Sequence, residues 1–302
     1  MIRSNIGNTY NILNALIFVG CFIYACEDVK ILSDSSNNSI SQATGLVDLY
    51  AGITTQTISI FLCCINGKRF IQLTHGLANI DKHLEVLGET IEYKKSKKFV
   101  VWGLTIITTE FIITFSIDYA LFIQDESKVY LITSYYPIIT IGIVKLQLTV
   151  LMYFIKQRFQ ALNNIVKEIS GSRCNIMHIK NHGIIRNNIH IIHVIHKVHN
   201  QLCQICSLVN YLYGIPLVLI SGSAFIITIN EIYYCYTKIK ENILPDLICD
   251  VYFSLQWAVL QVLEMYVMIY FAEKTNFEVC IFYEQKGMNV VSLSHIKCNI
   301  LA

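Results

Sequence analysis

The chain has 302 residues, of which 54% are hydrophobic and only 15% charged, with a formal net charge of +2. Soluble domains carry about 25% charged residues, so the composition argues against a water-soluble fold, and a charge this close to neutral gives no reason to expect a nucleic-acid partner. The 11 cysteines are scattered along a long chain, which is not the disulfide framework of a small secreted domain.

Residues 8–26 form the first uncharged apolar run. Arg3 ahead of it admits a secretory signal, but no small-x-small cleavage site follows, and the run is read as a membrane helix that stays. The polar stretch after it holds the sequon Asn37-Asn38-Ser39, a candidate glycosylation site at Asn37. A second span covers 47–66. Between residues 67 and 98, Phe70, Leu73, Leu77, Ile80, Leu84, Leu87 and Ile91 alternate spacings of three and four. That is one apolar stripe on a water-facing helix, and it needs a partner helix to cover it. The segment closes on KKSKK at 94–98.

The third span, 99–123, contains Glu110 and Asp118. The fourth, 129–154, contains Pro137 and Lys145; proline removes a backbone hydrogen bond and favours a kink. A second polar segment, 155–206, again shows helical spacing at Phe159, Leu162, Val166 and Ile169. The longest feature follows. Residues 198–230 include no Lys, Arg, Asp or Glu over 33 positions, whereas a bilayer core needs only about 20 as a helix. A helix this long crosses the membrane and continues beyond it. Its membrane part is placed at 207–231, with Pro216 inside. The sixth span, 247–271, carries Trp257 and Glu264. The tail 272–302 has no uncharged run longer than 10 residues, too short to span.

Lys and Arg set the orientation. With the N-terminus in the cytosol, 18 fall in inner segments and 4 in outer loops, the bias expected of cytoplasmic segments. Asn37 then lies outside. The expected architecture is an all-α, polytopic membrane helix bundle of six spans. It forms a single membrane domain with cytosolic helical segments 67–98 and 155–206 and a C-terminal tail 272–302, in the plasma membrane.

The orientation is opposite to that of G-protein-coupled receptors. The chain instead resembles the insect gustatory receptor family over roughly residues 45–285. His199-x-x-Leu202 followed by Leu208-Val209-Asn210-x-x-Tyr213-Gly214 is similar to the family's entry to its fifth helix, closed by Tyr233-Tyr234. Arg158-Phe159-x-x-Leu162-Asn163 resembles the end of its fourth helix. Asp81-x-x-Leu84-x-x-Leu87 resembles its first cytosolic loop, and Thr275-Asn276-x-Glu278 its continuation after the sixth span. The family's T-Y-hydrophobic-Q-F run and seventh helix have no counterpart in these residues, and the last 16, GMNVVSLSHIKCNILA, do not resemble it.

The resemblance implies a ligand-gated cation channel built as a homo- or heterotetramer. A small-molecule tastant would enter the outer half of the bundle, the cytosolic helices would anchor subunits together, and the seventh helix would line the pore. A non-conducting truncated isoform or partner subunit of such receptors is the alternative. An odorant receptor shares the topology, though the Asn210–Gly214 pattern favours the gustatory reading.

Asp118, Tyr119, Tyr135, Tyr136 and Glu231 lie toward the outer ends of their spans and supply the aromatic walls and polar groups a ligand pocket needs. The competing reading is that they are interfacial residues, where Tyr is enriched. Glu110, Lys145 and Glu264 lie deeper, where an ionisable group marks function. A buried pairing among them has no assignable partners from sequence, and Lys145 could equally snorkel to the inner surface. Cys235 and Cys249 flank the loop after the fifth span, as a disulfide if that loop is extracellular or as two free thiols. His190, His193, His196 and His199, followed by Cys203 and Cys206, offer metal-ligand chemistry. However, a three-residue step drifts around a helix, and no metal, cofactor or enzymatic role is expected.

Overall fold

A computed structural model describes residues 39–122, 128–176, 182–241 and 247–285, together with helical positions 13, 16, 19, 20 and 23. Most of the first expected span and Asn37 lie outside the described residues. The described elements are α1 (Ser39–Ile65), α2 (Gly67–Val86), α3 (Tyr93–Phe122), α4 (Lys128–Ile176), α5 (His182–Glu241) and α6 (Leu247–Gln285). All are helices, and no strand occurs among the described residues. This is a polytopic helical membrane bundle. Four described stretches are long and apolar enough to cross a bilayer: Tyr93–Ile117, Tyr135–Glu168, Ile191–Thr237 and Ser254–Phe282.

Four boundaries differ from the sequence reading. α1 starts at Ser39, ahead of the expected 47: the preceding uncharged residues SISQATGL hold no proline, and the single Gly45 costs a helix only about 1 kcal/mol. α4 and α6 run without interruption from their spans into the polar segments, reaching Ile176 and Gln285. The striped segment 67–98 is not one helix. α2 stops at Val86, and Gly88 adopts φ +90°. The Glu89 amide donates to the Leu84 carbonyl and the Gly88 amide to that of Glu85, each at 3.0 Å. Those two bonds are a Schellman cap, which needs a left-handed residue that glycine adopts without a Cβ penalty. The turn leaves Tyr93 to begin α3.

Pro137 and Pro216 lie inside α4 and α5, which continue through them. Neighbouring helices compensate such breaks in membrane spans. α1 comes close at Pro137: a Cβ on Gly52 would sit 3.6 Å from the Pro137 Cβ.

The chain divides into two compact units. The first comprises Met1–Asn66, Trp102–Leu146 and Ile215–Val267; the second comprises Gly67–Val101, Gln147–Gly214 and Met268–Ala302. Their interiors follow opposite solvent rules. In the first, Thr55, Gln56, Ser59, Thr114, Lys145, Ser223, Ser254 and Gln261 are buried, while Trp102, Leu104, Ile106, Ile112, Phe225 and Val259 are exposed. Apolar outside with polar and small residues inside is the pattern of helices packed in lipid. In the second, Leu73, Ile80, Leu84, Ile155, Phe159, Leu162, Val198, Leu202, Val209 and Phe282 are all but fully buried, whereas Lys94, Lys95, Lys97 and Lys98 are exposed. That is the pattern of a water-facing helical core.

Candidate ligand-binding site

Within the first unit, α3 and α4 bring together part of the aromatic set. The Phe115 ring meets Tyr135 edge-on at 5.3 Å and lies 6.2 Å from Tyr119. Tyr135 is buried, Tyr119 is exposed and Tyr136 is intermediate. Edge-to-face packing sets the positive rim of one ring against the negative face of the other. Tyr135 precedes Pro137, and Pro137 abuts Gly52 on α1. One turn along α1 from Gly52, Gln56 is fully buried, and neither its Nε2 nor its Oε1 has a hydrogen-bond partner among the described residues. A buried amide without partners costs about 1–3 kcal/mol, and a guest with donor and acceptor groups would recover that cost. Nothing in the sequence around Gln56 distinguishes it from an exposed glutamine.

Glu231 belongs to a different contact. Its carboxylate accepts a hydrogen bond from Ser254, a buried hydroxyl on α6. One turn further along α5, Cys235 is a free thiol whose Sγ faces the Val251 carbonyl at 3.8 Å. The side chains of Asp118 and Cys249 lie outside the described residues. The structure thus joins Tyr119 and Tyr135 through Phe115, and sets Glu231 against α6.

The deeper charges acquire partners. The Lys145 ammonium, on α4, donates to the Glu264 carboxylate on α6 and to Gln261 Oε1 at 3.2 Å. Glu110 on α3 is within electrostatic reach of both ions. Lys145 is therefore paired in the interior and does not snorkel to the surface. Gln261, one turn before Met265, was not flagged by sequence because an uncharged amide in a span carries no visible mark.

In the second unit the family-like motifs converge. Arg158 Nη2 donates to Asp81 Oδ2 at 2.7 Å, and its Nη1 donates to the Phe154 carbonyl at 2.8 Å. Tyr93 donates to the same Asp81 oxygen at 2.6 Å. Asn163 Nδ2 donates to the Glu278 carbonyl at 2.9 Å and to its Oε2 at 3.0 Å, while Gln160 Nε2 donates to Oε1 at 2.7 Å. The Thr275 hydroxyl lies between the carbonyl oxygens of Phe271 (2.8 Å) and Met152 (3.1 Å). Asn210, Thr275 and Asn276 also line a small pocket with Met152, Cys206 and Val279. Replacing Asn163 with Ala is expected to lower unfolding free energy by about 1–3 kcal/mol, since the half-buried Glu278 carbonyl and Oε2 lose the donor that the buried Asn163 supplies. Thermal melting of the purified protein reads this as a fall of several degrees.

The histidine run does not assemble a common face. His193 and His196 are exposed, while His199 is buried and stacks on Phe282 at 4.1 Å with the Phe159 ring 6.1 Å away. The Cys203 sulfur lies 3.7 Å from His199 Nε2. Among the described residues no group of three or more His, Cys, Asp or Glu is placed to hold a metal ion.

A family model described as 7tm Chemosensory receptor matches residues 2–280. That is a family of receptors, not of enzymes. No curated protein matches the chain.

Proposed function

Because the chain belongs to the 7tm chemosensory receptor family, we propose that it is a gustatory receptor of the plasma membrane, a subunit of a tetrameric ligand-gated cation channel that takes a small tastant from outside. The observation that carries the ligand site is the unpartnered, fully buried Gln56 amide one turn from the Gly52–Pro137 contact, where Tyr135 and Phe115 supply aromatic wall. Glu231 and Tyr119 extend the same end of the unit with a carboxylate and an exposed ring. The Lys and Arg bias favours a cytosolic N-terminus, which puts Tyr119, Tyr135 and Glu231 in the outer half and Gln56 near the middle of its span. The gustatory assignment within the family is favoured by Asn210-x-x-Tyr213-Gly214.

The test is cation imaging in cells expressing the chain alone and together with a second family member, against a panel of sugars, amino acids, alkaloids and volatile odorants. A tastant-evoked rise is expected. Tyr135→Ala and Gln56→Leu should each raise the half-maximal concentration about tenfold at unchanged surface level, the equivalent of about 1.4 kcal/mol. A response only in co-expression assigns a partner-subunit role, and a response to odorants alone assigns the odorant branch. Responses unaltered in both variants would overturn the ligand site.

A further inference from the structure

The run Lys94-Lys95-Ser96-Lys97-Lys98 opens α3, and the structure fixes which way each side chain faces. Ser96 is buried and donates to Gln157 Oε1 on α4 at 2.8 Å. Three residues on, Phe99 stacks on Tyr153 at 4.2 Å and meets Phe271 at 5.3 Å. Helical spacing places Ser96 and Phe99 on one inward face, so the four lysines flanking Ser96 turn outward, and all are exposed. Lys95 pairs with Glu92 at 2.9 Å. Lys94, Lys97 and Lys98 have no carboxylate at ion-pair distance among the described residues. No acidic residue occupies the first turn of α3, and cations there oppose the helix dipole. Helix stability therefore gives no reason for the cluster.

The helix itself shows what lies beside it. Within Tyr93–Ile117 the most apolar stretch is almost wholly unburied, and Val101, Trp102, Leu104 and Ile106 are exposed. An apolar helix that is exposed nearly all round has lipid for a neighbour. Exposed Trp at the start of such a span marks the headgroup level, and Lys98 is one turn before Trp102. We propose that Lys94, Lys95, Lys97 and Lys98 form a binding surface for anionic phospholipid headgroups in the leaflet next to this end of α3. The four ammonium groups lie within the range where a negatively charged leaflet attracts juxtamembrane cations. This inference does not depend on the identity of the tastant.

Trp102 supplies a local reporter. The full chain carrying Trp257→Phe is reconstituted into vesicles containing brominated phosphatidylserine or brominated phosphatidylcholine, and quenching of Trp102 gives the relative lipid affinity. The serine lipid is expected to be favoured about 5- to 10-fold, and high salt should abolish the preference by screening. The K94Q/K95Q/K97Q/K98Q variant should bring the ratio near one, while Lys82→Gln, an exposed lysine on α2, should leave it unchanged. Equal quenching by the two lipids in the chain with its lysines intact would overturn the proposal. So would a preference that survives the fourfold substitution. A cluster that acted only to orient the chain during insertion would give the first of these results.

Discussion

Arg158→Met is expected to remove about 3–5 kcal/mol of folding free energy, the usual cost of stranding one partner of a buried ion pair. Arg158 and Asp81 are 5% and 14% exposed in their side chains. The pair ties α4 to α2, and Tyr93 brings α3 to the same carboxylate oxygen. With Arg158 gone, the Asp81 charge keeps only the tyrosine hydroxyl, and the Phe154 carbonyl loses a side-chain donor as well. Thermal unfolding of the purified protein should show a melting temperature lower by roughly 10 °C, since 1 kcal/mol shifts a chain of this size by about 2–4 °C. Asp81→Leu alone should cost a similar amount. The double variant, which buries two apolar groups in place of two charges, should recover most of the loss. Additive losses in that cycle would mean that the pair contributes nothing as a pair. Tyr93→Phe should cost less, because its ring is largely exposed.

Lys145→Met is the second large effect, for a different solvent. Here the stranded group is the Glu264 carboxylate inside the lipid-type unit, with Gln261 losing its donor too. Lys145 is 6% exposed in its side chain and Glu264 19%, and water has little access to repair either. A loss of about 3–5 kcal/mol is again expected, together with reduced surface delivery, because a marginally stable chain loses abundance for every kcal/mol. Glu110 on α3 makes the arrangement asymmetric: two carboxylates share the field of one ammonium. Glu264→Leu, which leaves the ammonium facing Glu110 and Gln261, should therefore cost less than Lys145→Met, which leaves two carboxylates without a cation. If Lys145→Met melts like the unaltered chain, the ion pair does not hold α4 to α6.

The residues that were legible from sequence are those whose role is periodic. Leu73, Leu77, Ile80 and Leu84 were marked by spacing alone, and all four are buried. The same rule overreached at Leu87 and Ile91, since spacing cannot see that Gly88 takes a positive φ and ends the helix. The fifth span's extra length was visible as missing charge, and α5 runs 60 residues. The ion pair was half visible. Lys145 and Glu264 were conspicuous as charges in apolar runs, but 119 residues separate them and only helix packing selects the partner. Gln56 was invisible, because burial of an uncharged side chain is a tertiary fact. The aromatic set was partly resolved: Tyr119 and Tyr135 are close in sequence across a short loop and meet through Phe115, whereas Glu231 turns to Ser254 on a distant helix. Four histidines three residues apart drift around α5, which is why His199 enters the core while His193 and His196 stay outside.

The ligand site and the lipid surface both require that α3 place its lysines in the cytosol and its Tyr119 end outside. Glycosylation mapping tests that orientation most directly. An acceptor tripeptide in a flexible Gly/Ser insert is placed in an Asn37→Gln background, either between Gly88 and Glu92 or between Asp125 and Lys128. The shift on endoglycosidase treatment is then read for each. The expected result is modification of the second insert only. Modification of the first insert, with the second left bare, would reverse the topology and contradict the outward ligand site.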